Sequence, residues 1–244
     1  MIQVENLHKA FGELRAVDGV SFTAGNGEIT GLLGPNGAGK TTTLRMLYTL
    51  MRPDAGRVLV DGLDSRSDPL AVRKRLGVLP DARGLYKHLT ARENIDYFAH
   101  LQGVPAGEGQ RRRETLIGML EMGDFADRRA AGFSQGQRVT TAIARALIHD
   151  PKNVLLDEPT NGLDVMATRR MRQFMRDLRA EGRCVLFSSH IMQEVAQLCD
   201  RVVVIARGRV VANESPEALR LQTGESNLEE AFVKIIGSAE GLAA

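Results

Sequence analysis

Residues 29–41, Ile-Thr-Gly-Leu-Leu-Gly-Pro-Asn-Gly-Ala-Gly-Lys-Thr, decide the fold. The apolar run Ile29–Leu33 ends in Gly34-Pro-Asn-Gly37-Ala-Gly39-Lys40-Thr41, which satisfies GxxxxGK[ST], and Thr41–Leu50 follows with Leu44, Leu47 and Met51 at helical spacing. Strand, glycine-rich turn and helix in that order make a phosphate cradle. Glycines let the backbone amides turn inward without a Cβ in the way, and the helix start adds its positive dipole end. Lys40 supplies a cation for β- and γ-phosphates, and the Thr41 hydroxyl is a candidate ligand for Mg2+. Gly34, Pro35, Asn36, Gly37, Ala38, Gly39, Lys40, Thr41 and Thr42 are therefore candidate residues for binding ATP.

Outward from the cradle, apolar or β-branched runs recur at Ile29–Leu33, Val58–Val60, Gly77–Leu79, Val154–Asp157, Cys184–Phe187 and Val202–Ile205, several followed by helical periodicity. This alternation predicts an α/β domain with a largely parallel sheet. The first thirty residues differ. Short runs at Ile2–Leu7 and Val17–Phe22, divided by Gly12 and Gly19, predict an antiparallel β piece. From Leu85 to Ile148 helix signals dominate: Thr90-Ala-Arg-Glu93 reads as a capping box, Gly103–Gly109 with Pro105 as a break, and Gln110–Glu121 as a restart. Asn227–Ile236 predicts a short amphipathic helix, and Gly237–Ala244 a frayed tail. The expected organisation is a core of residues 1–83 and 149–222, a helical insert of 84–148, and a C-terminal helix and tail of 223–244.

With 244 residues, 43% of them apolar and 25% charged, the chain has no disordered, collagen-like or coiled-coil character. The 32 basic residues against 30 acidic ones leave a net charge of +2, which is no footprint for nucleic acid. No stretch longer than 11 residues lacks a charge, whereas a bilayer-spanning helix needs about 17–25 mostly apolar positions. The first residues, MIQVENLHKAFG, lack the apolar run of a secretory signal. Cys184 and Cys199, without CxxC spacing, read as ordinary reduced thiols of a cytosolic protein.

Two further segments carry chemistry. Asn153-Val-Leu-Leu-Asp157-Glu158-Pro159 is a buried-type strand ending in two carboxylates, and Pro159 biases Glu158 toward extended backbone. Ligands of open α/β sheets bind at that end, so Asp157 is a candidate Mg2+ ligand and Glu158 a candidate general base. Phe133-Ser134-Gln135-Gly136-Gln137 precedes Val139, Ala142, Ile143, Ala146 and Leu147 at helical spacing. Ser134 and Gln137 form a capping box, so a second helix N-terminus offers amides and a hydroxyl to an anion.

The order GPNGAGKT, FSQGQ, LLDEPT, Asn161-Gly-Leu-Asp164 and Ser189-His190 resembles the nucleotide-binding domain of the ATP-binding cassette (ABC) family over nearly the whole chain. The resemblance implies a P-loop NTPase (RecA-like) core with an N-terminal antiparallel β subdomain and an inserted α-helical subdomain. It implies that two cassettes, identical or different, pack head to tail, with Ser134, Gly136 and Gln137 of one closing on the γ-phosphate held by the other. Phe11 matches the aromatic that stacks on adenine, although it could equally be a strand-end core residue. Asp164 falls in the loop that couples the two sites, and His190 matches the switch histidine that contacts the γ-phosphate.

Two positions depart from the family pattern. Pro80-Asp81 stands where a Gln usually follows the strand; Asp81 is either a hard oxygen ligand for Mg2+ or an ordinary turn residue. Gln135 stands where the family often has Gly, either adding a contact or slowing closure. The lack of membrane spans implies a separate integral-membrane permease, which places this subunit on the cytoplasmic face of the cell membrane. The run Leu79–Asn94 resembles the ATP-binding subunit of bacterial two-component sodium exporters of the NatA type, and NLEEAFVKII resembles the terminal helix of single-cassette ABC-2 exporters. The alternatives are export of a drug, lipid or polysaccharide, and a non-transport cassette ATPase.

Overall fold

Ile2–Phe11 (β1) and Leu14–Ala24 (β2) pair antiparallel around a turn in which Gly12 takes φ +60°. The sequence breaks β2 at Gly19, but the strand runs on, with Gly19 at φ +76° where the register shifts between Leu7 and His8. Ile29–Leu33 (β3) leads into Lys40–Leu47 (α1). Ala55–Val60 (β4) then pairs antiparallel with β1, and Leu63–Asp64 (β5) with β4. Val58–Val60 therefore belongs to the antiparallel sheet and not to the parallel one, because Val60 and Val58 pair with Ile2 and Val4. This first sheet has the order β2-β1-β4-β5.

Pro69–Arg75 (α2), capped by the Asp68 side chain, precedes Leu76–Leu79 (β6). Ala91–Leu101 (α3), Ala106–Met119 (α4) and Gln135–Leu147 (α5) stand between β6 and Asn153–Leu156 (β7). The Thr90/Glu93 capping box opens α3 as expected. Helix α4 starts four residues before the predicted restart. Pro105 takes extended geometry at the N-cap, and Gly109, which the sequence reads as the end of the break, lies buried inside the helix. Then come Val165–Ala180 (α6), Cys184–Ser189 (β8), Met192–Leu198 (α7), Arg201–Ala206 (β9), Arg209–Glu214 (β10), Pro216–Thr223 (α8) and Leu228–Glu240 (α9). The computed structural model describes residues 1–81 and 84–240. The expected fraying from Gly237 is not seen as far as Glu240: α9 continues, anchored where Leu228 and Ala231 are buried, and 241–244 lie outside the described residues.

The second sheet has the order β10-β9-β3-β8-β7-β6, parallel except for the edge strand β10. Alternate residues of its inner strands point to opposite faces. Ile29, Leu33, Val154, Leu156, Val185 and Phe187 join the core shared with α3, α5 and α6. Leu32, Leu155, Leu186, Val203 and Ile205 join the core between this sheet, α1 and the antiparallel sheet. Each such buried side chain contributes about 1.5–3 kcal/mol over its exposed state. The two cores fix the sheet, and register does the rest. Leu33 pairs with Ser189, Leu79 with Leu156, and Leu156 with Phe187, so Gly34, Asp81, Asp157 and His190 leave their strands at one carboxyl rim.

Candidate nucleotide site

Two of the loop glycines are there for packing. A Cβ on Gly34 would sit 2.2 Å from the Ile205 carbonyl, and one on Gly39, at φ +105°, would sit 2.3 Å from the Ala16 carbonyl. Gly37 has nothing within 4 Å but needs φ +80°, and it is exposed beside Asn36. Ala38 is buried, donating its amide to the Pro35 carbonyl at 3.2 Å and accepting from the Gly208 amide at 3.0 Å. The loop is thus fixed on the sheet side and open on the other. Lys40, 7% exposed, donates through Nζ to the carbonyls of Gly34 at 2.7 Å and Pro35 at 3.1 Å. Burial lowers its pKa, partly opposed by the carboxylates of Glu158 and Asp157. Thr41 and Thr42 are half-buried in the first turn of α1, which has no side-chain cap, so its first amides are left for a ligand.

Asp157 and Glu158 follow β7. The Ser188 hydroxyl donates to Asp157 Oδ1 at 2.6 Å and accepts the Glu158 amide at 2.9 Å. Glu158 is not extended, as the following proline suggests, but left-handed at φ +48°. Such a conformation costs roughly 1–3 kcal/mol and persists where surroundings over-determine it. Here the amide is pinned by Ser188 and the carbonyl accepts from the Asn161 amide at 3.2 Å. The turn aims the side chain across to β8, where Oε2 meets His190 Nδ1 at 2.9 Å. His190 is 53% exposed and Glu158 19%. Neither Ser188 nor this strain is visible in the motif, which marks acids and not what holds them.

Asp157 Oδ2 is buried without a hydrogen-bond partner. Burial pushes the Asp157 pKa up, the Ser188 hydroxyl pulls it down, and the negative charge of Asp81 adds to the rise. An orphaned carboxylate oxygen beside a threonine-bearing helix start is a hard-oxygen donor set that suits Mg2+ shared with phosphate. No cluster of three acidic, histidine or cysteine side chains able to cage a metal occurs among the described residues. Asp81 is exposed at the end of β6, within electrostatic reach of Asp157; the next two residues, 82–83, lie outside the described residues.

Ser134 and Gln137 form the expected reciprocal cap at the start of α5: Ser134 Oγ accepts the Gln137 amide at 3.3 Å, and Gln137 Oε1 accepts the Ser134 amide at 3.1 Å. Ser134 is exposed and Gly136 half-buried, with Leu163 Cδ2 3.9 Å from where its Cβ would lie. No hydrogen bond among the described residues joins this turn to the Gly34–Thr41 loop. Gln135 has a partner the sequence does not reveal: its Cγ is 3.3 Å from the position a Cβ on Gly162 would take. Asp164 spends its side chain capping α6, accepting the Ala167 amide at 2.8 Å. Phe11, 48% exposed at the tip of the hairpin whose Ala16 touches Gly39, stands outside the core, with the Lys9 ammonium 5.8 Å from its ring. Cys184 is buried with its thiol pushed up to about 12, and Cys199 is half-buried against Gly31; both are free. No helix among the described residues is long and apolar enough to cross a membrane.

Residues 17–161 match the ABC transporter family. The chain is 45% identical over 221 residues to the ABC transporter ATP-binding protein NatA of Bacillus subtilis, covering 90% of each. It is 41% identical to Nod factor export ATP-binding protein I of Burkholderia lata, covering 89% of this chain and 72% of that one. It is 36% identical to daunorubicin resistance ATP-binding protein DrrA3 of Streptomyces coeruleorubidus, covering 93% and 72%. Among solved structures, the ATP-binding subunit of an ABC transporter superposes with a TM-score of 0.89 at 29% identity, covering 96% and 99%. A dimeric ATP-binding cassette in a post-hydrolysis state bound to ADP and Pi superposes with a TM-score of 0.80 at 27% identity, covering 88% and 98%.

Proposed function

Since the chain belongs to the ABC transporter family and is its ATP-binding, ATP-hydrolysing subunit, we propose that it powers export through a separate integral-membrane permease, with sodium ion as the cargo. The observation that carries the ATPase chemistry is the meeting, at one rim, of the Gly34–Thr41 cradle, Asp157 and the Glu158–His190 pair. Lys40 exchanges its loop carbonyls for the β- and γ-phosphates when ATP enters. The amides of Gly37, Gly39 and Thr41 and the hydroxyl of Thr42 line the same phosphates, and Phe11 stacks on adenine. Thr41 and Asp157 would hold Mg2+, with Asp81 a further candidate ligand, and the ion would supply neutralisation of charge on the phosphates.

Glu158, one oxygen engaged by His190, keeps the other to orient and deprotonate the attacking water. Charge developing on the γ-phosphate is met by Lys40, by His190 and by Ser134 and Gly136 of the partner subunit, whose Asp164 loop borders the same seam. Closing and reopening of this pair of cassettes drives the permease from the cytoplasmic face of the membrane. The helical insert, residues 84–148, is the coupling unit between the core segments 1–83 and 149–222, and 223–244 forms the C-terminal appendage. Asn94 makes the insert's leading loop rigid: buried, it donates to the carbonyls of Tyr86 at 3.1 Å and Thr90 at 2.8 Å and accepts the Tyr86 amide at 3.0 Å.

Sodium rests on the Leu79–Asn94 run and on the 45% identity with NatA. The test is to read the neighbouring reading frames for a polytopic membrane protein and to co-express this subunit with such a candidate permease in a sodium-sensitive host. Growth at high sodium and efflux of labelled sodium are expected, both lost in Glu158→Gln. Drug efflux without a sodium phenotype would move the reading toward the daunorubicin resistance relatives.

A further inference from the structure

Glu194 lies on α7 four positions after His190, is 2% exposed, and belongs to no motif that the sequence marks. Its Oε2 accepts the Thr160 hydroxyl at 2.7 Å, and its Oε1 accepts from Arg172 Nη2 at 3.2 Å. Arg172 Nη1 in turn donates to Gln197 Oε1 at 3.2 Å. One buried carboxylate therefore joins the turn after Glu158, helix α6 and helix α7. Ser188 pins the front of the same turn, taking the Glu158 amide and the Asp157 carboxylate. Between those two pins lies the left-handed Glu158, whose side chain reaches His190. The turn and the end of β8 are thus bound twice, once at the nucleotide rim and once behind it. Removing either rear partner leaves a buried polar group unpaired, so the two segments hold together as a unit.

We propose that Glu194, through Thr160, is a positioning residue that keeps Glu158 and His190 at their working separation. It serves turnover and not nucleotide capture, because the Gly34–Thr41 cradle is held by separate contacts with Ile205, Ala16 and Gly208. The inference rests on the reading of Glu158 as the general base. A misplacement of the order of 1 Å at a reacting group lowers rate by about 10²-fold, which sets the scale.

The experiment is steady-state ATP turnover and equilibrium nucleotide binding on the full chain bearing Thr160→Val, Thr160→Ser, Glu194→Gln, and Thr160→Val with Glu194→Gln. Thr160→Val should lower kcat by about 10–100-fold with KM and the nucleotide Kd within about twofold of the parent. Thr160→Ser should restore kcat. Glu194→Gln, which keeps an oxygen for Thr160, should lose less than Thr160→Val, and the double variant should be no worse than Thr160→Val alone, because the pair acts as one. A purely structural role would lower the folded fraction and move kcat and binding capacity together, unrescued by serine. Should Glu194→Gln not fold, the near-isosteric Thr160 pair decides alone. Wild-type kcat in Thr160→Val overturns the proposal. Glu158→Gln in the same assay separates the two levels: if it is inactive while Thr160→Val is normal, only the positioning role is lost; if it turns over normally, the reading of the base goes and takes this inference with it.

Discussion

The two helix starts aimed at anions, α1 behind Gly39 and α5 behind Ser134, are built in opposite ways. Helix α1 has a left-handed glycine N-cap and no side-chain acceptor, and its Lys40 ammonium is folded onto two loop carbonyls. Helix α5 has a closed capping box, with Ser134 and Gln137 satisfying each other's amides, and although the body of the helix is buried, Ser134 and Gln135 at its start are exposed. The first start has unmet donors and a buried cation, so it gains by taking a polyphosphate. The second is complete without a ligand, and in the proposed head-to-tail pairing it meets a γ-phosphate only when another surface brings one. In that proposed pairing one half-site captures and the other completes.

The largest expected effect sits where capture becomes chemistry. Glu158→Gln should keep ATP affinity and lose turnover by about 10²–10⁴-fold, the range of a lost general base. In gel filtration with Mg-ATP it should run as a dimer, since closure no longer ends in hydrolysis. A monomeric, active variant would break the division into a capturing and a completing half. Next comes Lys40→Ala, which removes the cation of the first half. A charge-assisted contact contributes about 1.5–3 kcal/mol, so nucleotide Kd should rise by about 10–100-fold, read by titration with a fluorescent ATP analogue.

Ser134→Ala acts on the other side. Loss of the cap should cost about 1 kcal/mol and lower the melting temperature by a few degrees. Nucleotide affinity of the isolated subunit should stay unchanged while turnover falls. If Ser134→Ala weakened binding to the lone subunit as Lys40→Ala does, the two halves would belong to one chain's pocket and the comparison would fail.

The same contrast governs what the sequence discloses. The Gly34–Thr41 loop is legible because its spacing and its flanking strand and helix are local, and the Ser134 and Thr90 caps because a capping box spans four residues. Strands inside the parallel sheet show as apolar runs. The allocation of Val58–Val60 to the antiparallel sheet is decided by pairing with Ile2, fifty-odd residues away, and no local pattern carries that. The left-handed Glu158 contradicts its local rule, since proline predicts extension, and only the Ser188 hydroxyl and the Asn161 amide show why. Glu194 carries no local signal, and Gln135 shows in the sequence only as a departure without its contact, for the same reason: their partners, Thr160 and Gly162, are distant in sequence.

The smallest effect sharpens the comparison through pH. The insert carrying α5 is laced at its surface: Arg92 pairs with Glu114 and with Asp127 at 2.9 Å, and Arg113 pairs with Asp96 and with Glu114 at 2.8 Å. The Arg92 guanidinium holds the carboxyls of Glu114 and Asp127 below their ordinary values of 4.5 and 3.8. Their folded pKa values are depressed, so their contribution is present above the unfolded values and is lost as pH falls through the folded ones. Asp157 beside the cradle is shifted the other way by burial, so the cost of its charge, present above its folded pKa, is relieved by acid. Acidification from neutral to below about 4 should therefore loosen α3 and α4 before α1. Hydrogen exchange corrected for intrinsic rates is the measurement. These pairs are exposed and screened by solvent, so the expected difference in protection is at most a few-fold. Arg92→Met should remove most of the acid-induced part while leaving α1 protection as it was; loosening of α1 first, or an unchanged acid response in Arg92→Met, would show that the insert is held by its buried face and not by its charged surface.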